Sequence, residues 1–173
     1  MESIDFEELV RMHYNTLLRI AVQHTGNRAE AEDIVQDTFL KLLETGKTFS
    51  AYPDAKAFLI RMTVNRCRNY LKSARRTRNT ALTEEVTQQL SDSGGFADPE
   101  TSALMQAMQT LRPEYRDVIY LYYYEEYPIK EIAAILKKRE NTVSSWLTRA
   151  RKQLKEVMRY DNLSEDDGTD RRR

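Results

Sequence analysis

The sequence predicts an all-α protein of two small helical domains joined by a flexible linker, and three observations predict it. Apolar residues recur at helical spacing through most of the chain, and no stretch alternates as a half-buried strand would. Glycine and proline number only five and four in 173 residues, so the usual interrupters of helices are scarce. In mid-chain, from Thr80 to Ala97, the periodicity fades into TEEVTQQLSDSGGFAD, polar and acidic with a Gly94-Gly95 break, which reads as a linker.

The elements follow in order. Asp5 to about His24 carries Phe6, Leu9, Val10, Leu17, Ile20 and Ala21 at helical spacing, and Gly26 is a natural stop. Asn27, with Glu30 three residues on, is a capping-box-like start for a second helix, because side-chain oxygens can satisfy orphan amide donors there. Ile34, Val35, Thr38, Phe39, Leu42 and Leu43 supply its apolar positions, and Gly46 ends it. After a loop from Thr45 to Tyr52, Pro53-Asp54 opens a third helix expected to reach about Arg78. Its Phe58, Leu59, Met62, Tyr70 and Leu71 can pack inward, while Arg61, Asn65, Arg66, Arg68, Asn69, Lys72, Arg75 and Arg76 cover the rest. Asn65 and Asn69, one turn apart, share a face. Beyond the linker, Asp98-Pro99 starts a fourth helix and Arg112-Pro113 a fifth, PEYRDVIYLYYYEE, whose tyrosines brace a small core with their hydroxyls at its edge. Pro128 ends the fifth and opens Ile129 to Leu136.

Composition narrows the function. Forty per cent apolar and thirty-one per cent charged residues is the balance of a soluble globular chain. No apolar run approaches the roughly 18 to 20 residues of a membrane span, and MESIDFEEL is unlike a signal peptide, so a cytoplasmic protein is expected. Cys67 stands alone, and with only His13 and His24 there is no zinc spacing and no disulfide framework, so neither metal nor cofactor is expected. The two histidines, in or beside the first helix, read as ordinary surface or half-buried residues.

The net charge of zero hides a segregation. Met1 to Thr45 holds nine acids and four bases, and Gly46 to Asn79 nine bases against Asp54 alone. Thr80 to Pro128 holds nine acids and two bases, and Ile129 to Tyr160 nine bases and three acids. Such blocks suggest two polyanion-binding surfaces, with acidic faces left for a basic partner or for self-masking.

The last basic block contains the most specific local pattern. IKEIAAIL, then Lys137 to Arg139, then a second periodic run is a helix-turn-helix. With Val143 at the centre of a helical wheel, Leu147, Ala150 and Leu154 fall within about forty degrees, facing Ile132, Ala133 and Leu136. The opposite face, Asn141, Ser145, Thr148, Arg149 and Lys152, flanked by Thr142 and Ser144, has small polar side chains that fit a major groove and a guanidinium for base edges or phosphate. Lys137, Lys138, Arg139, Arg151 and Lys155 surround it as phosphate contacts. Trp146 lies at the rim of the buried stripe.

AEDIVQDTFLKLLE, a loop, AKAFLIRMTVNRCRNYLKSARR, an acidic linker, LRPEYRDVIYLYYYEEYPIKEIAAIL and NTVSSWLTRARKQL together resemble the extracytoplasmic-function sigma factors of the sigma-70 family, over about Phe6 to Val157. The resemblance implies region 2 in residues 1–79, a flexible linker in 80–97 and region 4 in 98–160; the charged tail in 161–173, outside the resemblance, is expected to be disordered. Region 2 would bind core RNA polymerase and the minus-ten element; region 4 would bind the minus-thirty-five element. It implies that Asp33, Gln36, Asp37, Phe39 and Lys41 meet the clamp of the polymerase's largest subunit, and that the flap of the second subunit is a further partner. Thr45 to Asp54 matches the loop that captures an extruded base of the minus-ten element, and Asn65 and Asn69 match positions that help read it. A separated strand offers no groove, so its reader must pocket an unpaired base and hold phosphates on a basic, partly aromatic surface. Phe49, Tyr52 and Phe58 are the candidate apolar walls; Arg61, Arg66, Arg68, Arg75 and Arg76 are placed for phosphates. Ser144, Ser145, Thr148 and Arg149 match minus-thirty-five readers. The family further implies a cognate anti-sigma protein, which if membrane-bound would hold the chain at the inner face, and no catalytic residues. The competing expectations are a stand-alone helix-turn-helix regulator and, more remotely, an enzyme acting on nucleic acid.

Overall fold

A computed structural model of the chain describes residues 2–75 and 99–162, and all of the described regular structure is helical. The expected linker, the last residues of the third helix including Arg76, and the tail beyond Asn162 lie outside the described residues. We label the described helices in chain order: α1 Phe6–Thr25, α2 Arg28–Thr45, α3 Tyr52–Arg75, α4 Pro99–Gln109, α5 Pro113–Ile119, α6 Ile129–Leu136 and α7 Glu140–Asn162.

The ends obey local chemistry. Gly26 and Gly46 close α1 and α2 in the left-handed region (φ 66° and 62°), with amides donating to the Val22 and Leu43 carbonyls. The Asn27 side chain accepts from the Glu30 amide at 3.2 Å, the first half of the capping box. The second half is not made: the Glu30 carboxylate accepts instead from the Tyr70 hydroxyl and so ties α2 to α3.

α1, α2 and α3 pack around Leu17, Leu18, Ile20, Val35, Leu59 and Ile60, none more than 2 % exposed. Thr63 and Thr38, also buried, return their hydroxyls to carbonyls four residues back, so neither leaves a polar group unpaired. In the C-terminal set α7 packs on α5 and α6, burying Val143, Leu147 and Ala150 against Ile132, Ala133 and Leu136 as the wheel requires.

The fifth helix departs from expectation. It leaves α geometry after Ile119 and makes a π turn, Tyr120–Tyr124, closed by the Glu125 amide donating to the Tyr120 carbonyl at 3.2 Å. The wide turn stacks Tyr124 on the buried Tyr120 ring at 5.2 Å and 5°, and the Tyr120 hydroxyl donates to Glu125 at 3.0 Å, the edge-bracing role expected of the cluster.

The two helical sets lie on one another: α1 meets α5, and α3 meets α6. Polar groups knit this seam. His24 Nε2 lies 2.7 Å from Asp117 Oδ1 with both side chains at 0 % and 3 % exposure, and Arg68 Nη2 lies 3.4 Å from the other carboxylate oxygen. The buried Arg116 guanidinium donates to the Gln23 carbonyl at 2.5 Å, and Lys56 Nζ meets Glu125 at 2.5 Å. Burial depresses the Arg116 pKa, with the adjacent Asp117 opposing that drift. Both histidines are buried rather than at the surface or half-buried, because α1 is covered by α3 around His13 and by α5 around His24. Burial also pushes the Cys67 thiol up, which makes it a poor nucleophile.

Candidate nucleic-acid interface

A slot forms where the α2–α3 loop folds over the start of α3. The Ile4 amide donates to the Phe49 carbonyl at 2.8 Å and pins the loop. Phe49 is thereby 7 % exposed, with its ring 5.4 Å from Phe58 at 54°. Lys47 places its ammonium 4.2 Å from the Phe58 ring centroid and 5.5 Å from that of Phe49, a cation over two aromatic faces. The cavity of about 400 Å³ is lined by Lys47, Thr48, Phe49, Ser50, Asp54, Ala57, Phe58 and Arg61. Apolar walls for a ring, hydroxyls and a carboxylate for its edge, and cations for its phosphate are what an unpaired base needs.

Phe49, Phe58 and Arg61 stand where the sequence reading puts them. Tyr52 does not: its ring is outside the slot, and its hydroxyl donates to Glu8 Oε1 at 2.7 Å, a bond that also raises the phenol's pKa. Its position at the first residue of α3 turns it toward α1. Lys47, Thr48, Ser50 and Asp54 were not singled out; their only signal is membership of the Thr45–Asp54 loop.

Along α3, Asn65 and Asn69 are exposed and Arg66 is half-buried, 3.9 Å from Asp37. A second cavity of about 310 Å³ joins Glu30, Asp33, Ile34, Asp37, Arg66, Asn69 and Tyr70, so residues expected to dock a protein and residues expected to read DNA share one groove. Arg68 is turned to Asp117 rather than to open solvent. Arg75 ends α3; its side chain and the whole of Arg76 lie outside the described residues.

On α2, Asp33, Gln36, Asp37 and Lys41 are exposed, with Lys41 3.1 Å from Glu44. Phe39 is a correction: it is 6 % exposed, edge-to-face with Phe6 at 6.1 Å, and so shapes the helix from within. Leu43, expected in the core, is 52 % exposed and Leu40 56 %. These two are the large apolar groups the helix offers a partner, because α1 and α3 cover only the side carrying Phe39 and Leu42.

On α7, Ser144, Ser145, Thr148, Arg149 and Lys152 are exposed on one side, Thr142 is half-buried, and Lys137, Lys138 and Arg139 are exposed in the turn. The Thr148 hydroxyl donates to the Ser144 carbonyl at 3.0 Å, so it offers a groove its methyl group and lone pairs rather than a donor. Trp146 is half-buried on the core rim. Arg151 lies 5.2 Å and 5.5 Å over the rings of Tyr122 and Tyr123, a rigid placement the sequence did not announce. The turn holds a surprise: Lys137 has φ 53° and ψ 49°, a left-handed position usually given to glycine.

Comparison with known proteins agrees in both halves. Residues 9–77 match the family model for sigma-70 region 2, and residues 101–154 match that for sigma-70 region 4. The chain is 28% identical over 158 residues to the ECF RNA polymerase sigma factor SigE of Mycolicibacterium smegmatis, covering 88% of this chain and 61% of that one. It is 28% identical over 157 residues to the RNA polymerase sigma-E factor of Streptomyces coelicolor, covering 91% and 88%. The Streptomyces antibioticus sigma-E factor is 29% identical over 166 residues, covering 94% and 89%. Among solved structures, the sigma factor RpoE in complex with the anti-sigma factor NepR from Bartonella quintana superposes with TM-score 0.69 at 21% identity, covering 91% of this chain and 98% of that one. CnrH in complex with the cytosolic domain of CnrY does so with TM-score 0.64 at 24% identity, covering 90% and 88%.

Proposed function

The chain belongs to the sigma-70 family, and from that premise we propose that it is an extracytoplasmic-function sigma factor directing bacterial core RNA polymerase to specific promoters. The observation that carries the reading is the pairing of a base-sized aromatic slot on a basic helix with a separate groove-reading helix. A duplex reader needs only the second; a protein that also traps melted DNA needs both.

In this reading α2 docks on the clamp of the polymerase through Asp33, Gln36, Asp37 and Lys41, with Leu40 and Leu43 supplying apolar contact. The C-terminal set meets the flap of the second subunit. The slot takes a base of the minus-ten element, Asn65 and Asn69 read its neighbours, and Arg61 and Arg66 hold phosphates. Ser144, Ser145, Thr148 and Arg149 read the minus-thirty-five duplex, positioned by Lys137, Lys138, Arg139 and Lys152. No bond is made or broken; binding energy from both contacts is used to hold strands apart. Because both solved relatives above are complexes with an anti-sigma factor or a cytosolic domain, we also infer an anti-sigma partner for this chain. Among the described residues no helix is long and apolar enough to cross a membrane, and the reading places the protein with the DNA in the cytoplasm.

Run-off transcription with purified core polymerase on a randomised promoter library tests the proposal. Transcripts that depend on the added chain and converge on a two-part promoter are expected. Failure to initiate, together with unaided binding to a palindromic duplex, would mean a stand-alone regulator instead.

A further inference from the structure

One acid lies inside the basic block that the strand is proposed to cross. From Gly46 to Asn79 nine bases stand against Asp54 alone, and Asp54 lines the slot beside Phe49 and Phe58. A carboxylate on a phosphate-binding surface repels the strand it borders, so it weakens binding there unless it accepts from something the strand brings. We propose that Asp54 sets the base preference of the slot: it accepts a hydrogen bond from the exocyclic amino group of an adenine, cytosine or guanine and turns thymine away. This preference presupposes the sigma reading, which supplies the strand.

The acceptor is available. Among the described residues Asp54 has no hydrogen-bond or ion-pair partner, although two cations line the same cavity. Lys47 directs its ammonium to the rings of Phe58 and Phe49, 4.2 Å and 5.5 Å from their centroids, rather than to Asp54. Arg61 is not paired with Asp54 either, and its Nε is buried without a hydrogen-bond partner. Phe49 is 7 % exposed whereas Asp54 is exposed, so an apolar wall lies deep in the slot and the carboxylate at its rim.

The bases differ in what they offer such a rim. An ionised carboxylate can only accept. Adenine, cytosine and guanine each carry an amino group to donate, but the one edge donor of thymine, its N3–H, is flanked by two carbonyl oxygens that repel a carboxylate. Stacking on the phenylalanine rings is indifferent to this, since every base has a π face. The rings therefore supply affinity and Asp54 supplies selection. A polar edge left unpaired costs more than a formed bond gains, so exclusion of thymine is the stronger half of the preference. Asp54 also lies in the first turn of α3, where a carboxylate suits the helix N-terminus. That structural role does not depend on which base is bound, so a panel of bases separates the two.

The test uses the complex of the full chain with core polymerase on a promoter recovered by run-off selection. A fluorescent base analogue is moved along the minus-ten strand, and the slot position is the one quenched by wild type but not by Phe58→Ala. At that position adenine, cytosine and guanine should each bind about tenfold tighter than thymine. Replacing cytosine by pyrimidin-2-one, which lacks the amino group, should cost wild type a similar factor. In Asp54→Asn, whose amide can donate to the thymine carbonyls as well as accept, the preference should shrink to about twofold while the quench persists. In Asp54→Ala, removing the amino group should cost nothing further, the coupling expected of direct partners. Wild type that binds thymine as tightly as the other three, or an Asp54→Asn complex that keeps the full preference, would overturn the role of Asp54. Loss of the quench in both variants would also overturn it, since Asp54 would then build the slot rather than read the base. Promoter-dependent transcription with an unselective slot would remove the preference and leave the sigma reading standing, whereas no such transcript and no quenched position would remove both.

Discussion

Lys137→Gly isolates the one strained position in the recognition motif. The α6 helix ends in a Schellman arrangement, in which the Lys138 amide donates to the Ala133 carbonyl at 2.9 Å and the Lys137 amide to the Ala134 carbonyl at 3.4 Å. That pairing requires the intervening residue to be left-handed, and Lys137 is, at φ 53°. A left-handed L-residue costs about 1–2 kcal/mol through the contact of its Cβ with the carbonyl that follows. Glycine escapes that cost but loses about 0.5–1 kcal/mol in extra unfolded-chain entropy. The balance is a stabilisation of about 0.5–1 kcal/mol, or roughly 1–4 °C in Tm for a chain of this size. Trp146 is the only tryptophan and sits in α7, so its fluorescence during urea unfolding reports the affected set directly. Lys137→Ala is the control, because it removes the same ammonium and keeps the same strain. It should leave stability within about 0.5 kcal/mol of wild type. On the proposed reading both variants lose one phosphate contact, so both should reduce the salt slope of duplex binding by about 0.9. A glycine variant no more stable than the alanine one would refute the strain argument, whatever either does to DNA.

Three other perturbations separate roles in the two surfaces. Arg149→Ala should cost about 1–3 kcal/mol at one minus-thirty-five position and relax specificity there, whereas Lys152→Ala should weaken all sequences alike; equal losses across a sequence panel for both would sink that division. In the slot, Phe58→Ala should cost about 1–3 kcal/mol in binding a strand carrying a fluorescent base analogue and remove its stacking quench, while Lys47→Ala keeps the quench and lowers the salt slope by about 0.7. Loss of quench in the lysine variant would show that the cation, not the ring, holds the base. Burial, with Lys56 nearby, holds the His13 pKa below its usual 6.5. Protonation therefore favours the unfolded chain, and the stability contributed by neutral imidazole is present above pH 6.5 and lost as pH falls below it. Urea midpoints between about pH 7.5 and 5.5 should fall less steeply for His13→Gln than for wild type, and parallel curves would exclude the effect.

Most helix ends were legible because their causes are local. Gly26, Asn27, Gly46, Pro113 and Pro128 each act within one turn, and the structure uses every one of them. The π turn was not legible, since Tyr120 to Tyr124 contains no breaker and its register is set by packing rather than propensity. The same limit explains Phe39 and Leu43. Spacing gives a stripe, but which edge of the stripe is covered depends on how α1 and α3 close over α2. The slot was legible as a loop and two phenylalanines; that Lys47 lies over their rings while Tyr52 turns to Glu8 is a matter of side-chain direction, which spacing does not carry.

The charge blocks bear on how one neutral chain can both avoid and bind DNA. At physiological salt the screening length is about 8 Å, so surface charges farther apart than that act almost independently. Net charge then says little, and what matters is which blocks lie within that distance of each other. Lys56 and Arg68 sit 2.5 Å and 3.4 Å from acids of the next block, well inside screening, and their attraction for a distant phosphate is largely cancelled. Lys137, Lys138, Arg139 and Lys152 are by contrast exposed, with Glu140 the one acid that adjoins them in sequence, and their side chains are open to solvent. Salt should therefore weaken duplex binding through α7 more steeply than strand binding through α3, and equal salt slopes for the two would refute that contrast.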